Sequence, residues 1–190
     1  MIEKKYWFVL YTKPNQEKKA KEQLDKLEIE NYLALITKKK KWSDRVKKVD
    51  EILLKSYIFI SCNEKARIQA LELPSISRCV FDRGKPAIVP DWQIQNLKMF
   101  LSKAENVFIS NEKLEGKKVL ITEGPFEGIV GIIQKHLNKN YLSISLDFVN
   151  RTINTVLPEE SVKIIETFSD VIEEKTSTNN KLVEKFMTAG

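Results

Sequence analysis

After a charged start, Tyr6–Thr12 (YWFVLYT) forms an unbroken, largely apolar run. Aromatic and β-branched residues without alternation predict a central strand buried on both faces. Pro14 is expected to open a helix, since proline fits a first helical turn. Ala20, Leu24 and Leu27 recur at helical spacing among Lys and Glu and form its expected core stripe. Tyr32–Thr37 (YLALIT) reads as a second strand, and Lys55–Ser61 (KSYIFIS) as a third that pairs back. Asn63 is the expected N-cap of a short helix ending near Leu71, with Ala66, Ala70 and Leu71 inward and Pro74 closing it. Ser77–Phe81 predicts a further strand, and Asp82-Arg83-Gly84 a turn. Pro90-Asp91 opens a last helix to the neighbourhood of Ser102, with Ile94, Leu97 and Leu101 on one face. The order β-α-β-β-α-β-α predicts an α+β sandwich close to the ferredoxin-like plan over residues 1–102.

The texture then changes. Residues 103–114 are polar apart from Val107–Ile109 and read as a linker. From Gly116 onward, short β-rich runs alternate with turns: Lys118–Thr122, Ile129–His136, Tyr141–Asp147, Thr152–Leu157 and Val162–Ile165. Asn138-Lys139-Asn140 and Val149-Asn150-Arg151 are the expected tight turns. This spacing predicts a small SH3-like β-barrel over residues 115–166. Residues 167–190 are polar, expected to be disordered, with a weak terminal helix at Lys181–Met187.

Charge adds a second division. The 190 residues carry a net charge of +6. Residues 1–102 hold 21 Lys and Arg against 13 Asp and Glu, a net +8; residues 103–190 hold 11 against 13, a net −2. Such asymmetry suggests that the first half meets a polyanion. The charge concentrates in Lys38, Lys39, Lys40, Lys41, Arg45, Lys47 and Lys48, against the single acid Asp44. With Trp42 inside the stretch and Ser43-Asp44 as a turn, it predicts a hairpin with a basic tip. The cations would neutralise phosphates and Trp42 would stack on a base, with Arg78 and Arg83 extending the path. The competing reading is a solubilising tip with Trp42 flat on the sheet.

Candidate chemistry is sparse. No apolar run approaches the roughly 18 residues of a membrane span. The start MIEKKYWFVLY is cut short by Thr12-Lys13-Pro14 and does not read as a signal peptide. Cys62 and Cys79 have no CxxC spacing and read as reduced, partly buried thiols of a cytoplasmic protein. His136 is the only histidine, and neither GxxxxGK[ST] nor GxGxxG occurs. No catalytic residue, metal or cofactor is therefore expected.

The most specific local signal is Lys117–Gly131, KKVLITEGPFEGIVG. Gly124 and Gly128 suit positions of positive φ, Pro125 fixes the turn, Phe126 would plug a barrel end, and Gly131 follows in the next strand. The stretch resembles the KOW motif of certain ribosomal proteins and of the NusG family of transcription elongation factors. YWFVLYTKPNQEKKAKEQL, KSYIFI and KPAIVPDWQI resemble the NusG N-terminal domain, so the likeness covers roughly residues 5–165. YLALITKKKKWSDRVKKVDEIL and TEGPFEG look more like the specialised RfaH and UpxY types than like housekeeping NusG.

The resemblance implies a non-catalytic bacterial elongation or antitermination factor, monomeric and cytoplasmic. Its N-terminal domain would dock on the clamp helices of RNA polymerase through an apolar depression. The matching positions are Tyr11, Leu54 and Ile94, with Phe8 and Tyr57 in support; the competing reading is ordinary core burial. The basic hairpin would then lie near upstream or non-template DNA. The KOW domain would recruit Rho or a small-subunit ribosomal protein, and its glycine-punctuated, β-rich sequence predicts a barrel over a stored helical hairpin. Two stretches depart from the family. Leu54-Lys55-Ser56-Tyr57 stands where many members carry Pro-Gly-Tyr, and Ala66-Arg67-Ile68 where RfaH-type proteins carry a polar His-Thr-Thr element, so that contact is not carried over. A ribosome-associated or RNA-binding KOW protein is the second reading; it explains the barrel and leaves the N-terminal resemblance unexplained.

Overall fold

The computed structural model describes residues 4–41, 45–104, 106–110, 118–136, 139–157 and 164–165. The chain divides into two compact units, Met1–Asp91 and Trp92–Gly190. The division falls at the start of the last helix, whereas the sequence pattern places a domain boundary after residue 102.

The first unit contains β1 (Tyr6–Thr12), α1 (Glu17–Lys26), β2 (Glu30–Tyr32), β3 (Leu35–Lys41), β4 (Val46–Ile52), β5 (Tyr57–Cys62), α2 (Glu64–Leu71), β6 (Ile76–Cys79), β7 (Phe81–Asp82), β8 (Lys85–Pro86) and β9 (Ile88–Val89). Its main sheet runs β2-β5-β1-β6, with β9 also paired to β1, and every pairing is antiparallel. The apolar run of β1 is central, as its pattern requires: Trp7, Phe8, Val9 and Leu10 are all buried. One core cluster joins Phe8 and Leu10 to Ala20 and Leu24 of α1, Ile58 and Ile60 of β5, and Ala70 of α2. Asn63 caps α2 as expected, its Oδ1 accepting from the Ala66 N–H at 2.8 Å.

Several local expectations change. Pro14 does not begin α1. It occupies the second position of a turn closed by Gln16 N–H to the Lys13 carbonyl, with Asn15 third at φ 58°, a type II pattern. Leu27 is 45% exposed rather than part of the core stripe. The helix stops at Lys26, Glu28 turns left-handed (φ 55°), and Ile29 N–H donates to the Leu24 carbonyl while Glu28 N–H donates to Asp25. This is a Schellman ending, and it swings Ile29 into the place expected for Leu27. The expected strand Tyr32–Thr37 is split between β2 and β3 by buried Leu33 and Ala34. The partner of β3 is β4; the two form a separate two-stranded sheet, and β5 joins the main one.

The second unit takes up α3 (Asp91–Lys103) from its second residue and continues through β10 (Phe108–Ser110), β11 (Lys118–Ile121), β12 (Val130–His136), β13 (Lys139–Leu146), β14 (Arg151–Val156) and β15 (Ile164–Ile165). These strands form one antiparallel sheet in the order β10-β14-β13-β12-β11-β15. Four of the five strands read from alternation are present as β11 to β14; of the fifth, Val162–Ile165, the described residues Ile164–Ile165 form β15. β10 is additional: residues expected as linker pair Phe108 with Asn154 and Ser110 with Thr152. The turn at Val149-Asn150-Arg151 is closed by Asn150 in the left-handed conformation (φ 49°). The architecture is a strand-rich mixed α/β fold. Among the described residues, no helix is long and apolar enough to cross a membrane. The remainder of the expected linker (105 and 111–114) and the tail 167–190 with its expected helix lie outside the described residues.

Candidate functional site

Three groups of residues carry the expected functions, and each is built by a different local device. The first surrounds Tyr11 at the end of β1. Tyr11 stands opposite Tyr57 across the β1–β5 pairing, and the rings lie 4.7 Å apart between centroids. The Tyr57 hydroxyl donates to the Tyr11 hydroxyl at 3.0 Å. On the other side, Arg78 of β6 stands opposite Tyr11 and places its guanidinium carbon 4.7 Å from the ring centroid. Tyr11 is half-buried and Arg78 exposed, whereas Tyr57 and Leu54 are buried.

A buried carboxylate fixes this group. Ser56 sits at φ 64°, a left-handed position for which glycine is the easier residue. Its N–H donates to Glu17 Oε1 at 2.8 Å, and its carbonyl accepts from Thr12 N–H at 2.9 Å. The Leu54 carbonyl accepts from Tyr57 N–H at 3.3 Å, which tightens the turn. Glu17 is only 3% exposed, so one buried acid ties the start of α1 to the turn that carries Leu54 and Tyr57. Sequence reasoning passed over Glu17; an acid in a first helical turn signals a helix start and nothing more.

Phe8 does not share the Tyr11 face. Three residues apart on one strand, they point to opposite sides of the sheet. Phe8 belongs to the cluster beneath α1 and α2, with the Arg67 guanidinium carbon 5.6 Å from its ring centroid. Arg67 is itself 7% exposed and paired with Glu64, so the stretch Ala66-Arg67-Ile68 offers no free basic side chain at its centre. Ile94 lies on α3 in the second unit and is fully buried.

The second group is the basic hairpin. β3 and β4 pair from Leu35↔Ile52 at the base to Lys41↔Val46 at the outer end. Lys38 reaches Glu51 at 3.1 Å, and Lys47, Lys48 and Arg45 are exposed. Lys39, Lys40 and Lys41 are placed on β3 by the register; Trp42 lies outside the described residues.

The third group is the glycine-rich loop between β11 and β12. Gly124 (φ 92°) and Gly128 (φ 84°) hold the positive angles their sequence context predicts. Gly128 N–H donates to the Ile121 carbonyl at 2.7 Å, and Ile129 N–H to Phe126 at 3.1 Å. Pro125 sits in the turn, and Phe126 is buried, its ring 6.4 Å from Phe100 of α3. Asn96 of α3 grips the same loop: its Nδ2 donates to the Val130 carbonyl at 2.8 Å and its Oδ1 accepts from Val130 N–H at 2.9 Å. Lys103 Nζ adds a 2.8 Å bond to the Glu127 carbonyl. Neither Asn96 nor Phe100 was legible as a partner of this loop. A polar residue between Ile94 and Leu97 was the one available signal.

Both cysteines are buried thiols, and burial pushes Cys62 up to about 11. They stay protonated near neutrality and make poor nucleophiles. Among the described residues, no group of His, Cys, Asp or Glu could hold a metal ion.

Residues 5–98 match the family model described as "Transcription termination factor nusG". The chain is 27% identical over 173 residues to the transcription termination/antitermination protein NusG of Rickettsia felis, covering 84% of this chain and 90% of that one. It is 29% identical to the protein of the same name from Rickettsia prowazekii over 158 residues, 75% of this chain and 82% of that one. The NusG of Lactococcus lactis is 25% identical over 174 residues, covering 84% and 93%. A solved structure described as "Domain interaction in Thermotoga maritima NusG" aligns at 22% identity over 86% of this chain and 98% of that one, with a TM-score of 0.48. The chain is NusG-like, and its residues 5–98 carry the match to the NusG family model.

Proposed function

We propose that this NusG-like chain is a transcription elongation and antitermination factor that acts by binding, without catalysis. The observation that carries the reading is the match of residues 5–98, whose centre is the paired strands β1 and β5 with Tyr11 and Tyr57 at their end. The first unit, read as a ferredoxin-like sandwich, docks on the clamp helices of RNA polymerase. A helix lying over this end of the sheet meets Tyr11, backed by Tyr57 and rimmed by Arg78. Leu54 is buried and contributes where docking opens the surface around it; Ile94, on α3 of the second unit, is a separate candidate contact. By binding the elongating polymerase better than the paused one, the protein shifts the balance away from pausing and termination.

The hairpin Lys38–Lys48, Trp42 included, faces upstream or non-template DNA and holds phosphates without reading sequence. The second unit is read as an SH3-like KOW barrel that recruits Rho or a small-subunit ribosomal protein. Tethering raises that partner's effective concentration at the polymerase. The protein is a cytoplasmic bacterial monomer, specialised in the manner of RfaH and UpxY.

The test is binding to core RNA polymerase. Tyr11→Ala should weaken it by about tenfold or more, as expected for an aromatic anchor. Tyr11→Ala combined with Ile94→Asp should abolish it, with circular dichroism confirming that the variant is folded. Undiminished binding by folded variants removes the docking site. No binding by the unaltered chain favours a ribosome-associated or RNA-binding role.

A further inference from the structure

Two-stranded sheets standing alone are marginal in water. The hairpin β3–β4 is such a sheet, and it is anchored at its base. Leu35 stands opposite Ile52, and both pack against the core cluster. Leu53 N–H donates to the Ala34 carbonyl at 2.9 Å. Two rungs further, Thr37 Oγ1 donates to Asp50 at 2.6 Å, and Lys38 pairs with Glu51. This inner half is chemically complementary.

The outer half is the reverse. Lys39 stands opposite Lys48, Lys40 opposite Lys47, and Lys41 opposite Val46, which is 64% exposed. Like charges directly across a strand pair oppose the pairing. A hairpin serving solubility alone has no use for this register, because alternating Lys with Glu would give the same solvation and help the strands pair. The register sets four lysines in two facing pairs on a short two-stranded ribbon.

We infer that the outer half of the hairpin is completed by a nucleic-acid backbone. Phosphates held by Lys39, Lys40, Lys47 and Lys48 cancel the cross-strand repulsion, so binding and strand pairing stabilise each other. The inference rests on the nucleic-acid reading of this hairpin and adds a coupling to it. A ligand that binds the paired form in preference must stabilise that form. The recognised chemistry is the phosphodiester chain, and base identity is not required.

The experiment is hydrogen–deuterium exchange on the full chain, free and saturated with a short DNA duplex of arbitrary sequence, beside a binding titration at several salt concentrations. Amides of the outer rungs should exchange about fivefold to tenfold more slowly with DNA bound, the scale of relieving two like-charge pairs. Those of β1 should not change. In the free chain, added salt should also slow the outer rungs by screening the lysines. The double substitution Lys47→Glu, Lys48→Glu places acids opposite Lys40 and Lys39. It should show the slow exchange without DNA and lose the response to DNA. DNA that binds through the hairpin with no change in outer-rung exchange overturns the coupling and leaves the nucleic-acid reading standing. A titration whose affinity and salt slope are the same in the double variant overturns both.

Discussion

The Tyr11 face and the basic hairpin sit on the same unit and are built on opposite plans. Around Tyr11 the backbone and the tyrosine rings are held before a partner arrives. Glu17 fixes Ser56, Ser56 fixes Thr12, and the tyrosine hydroxyls fix each other. In the hairpin the outer rungs set lysine opposite lysine. The difference matches what each surface would bind. A protein helix rewards a shape set in advance, since each side chain immobilised on binding costs about 0.5–1.5 kcal/mol. A phosphate backbone rewards charge density, which acts at longer range and tolerates looser geometry.

The largest effect that would break this comparison is at the hairpin. Replacing Lys38, Lys47 and Lys48 by Ala should cut the slope of log affinity for DNA against log salt by about 2 to 3, and lower affinity by tens- to hundreds-fold at low salt. Thermal stability of the main sheet should hardly move. An unchanged slope would make the hairpin a solvated surface. Next comes Glu17→Ala. It strands the Ser56 N–H and removes a buried anchor, so unfolding in urea should report a loss of about 1–3 kcal/mol. Polymerase binding should fall with it, and DNA binding should not. A variant of full stability would show that the Tyr11 face is not pre-set by this acid. The smallest effect is a gain. Ser56→Gly should raise stability by about 0.5–1 kcal/mol, since glycine meets no steric cost at φ 64°. No gain would mean that the hydrogen bonds of Ser56 already absorb the strain.

Much of the fold was legible because its signals are local. The apolar run of β1 could only be a buried central strand, and Asn63 could be named as a cap from its place before Glu64-Lys65-Ala66. The alternation after residue 117 marked β11 to β14 closely. What escaped depends on distant partners. A Schellman ending on Glu28 carries no glycine to announce it, so Leu27 was placed inside and Ile29 took its position. β10 is too short to alternate and exists because Arg151–Val156 offers it an edge. The candidate surfaces divide the same way. The lysines of the hairpin stand in a row in the sequence, but their opposition across the ribbon is a matter of register. Phe8 stands in support of Tyr11 in the resemblance, yet the period of the strand, itself legible in the sequence, sends the two to opposite faces.

Gly131 and Gly84 close on a contrast of their own. A Cβ at Gly131 would lie 2.7 Å from Leu142 Cδ1 and 2.8 Å from the Ser143 carbonyl, at a backbone angle any residue could adopt. At Gly84 the space is open, and the constraint is a φ of 78°. A library randomised at both positions would therefore drift differently. Survivors at 84 should include Asn and Asp, which tolerate that angle. At 131 selection should return glycine alone, or pair any escape with a smaller residue at 142 and a displaced strand.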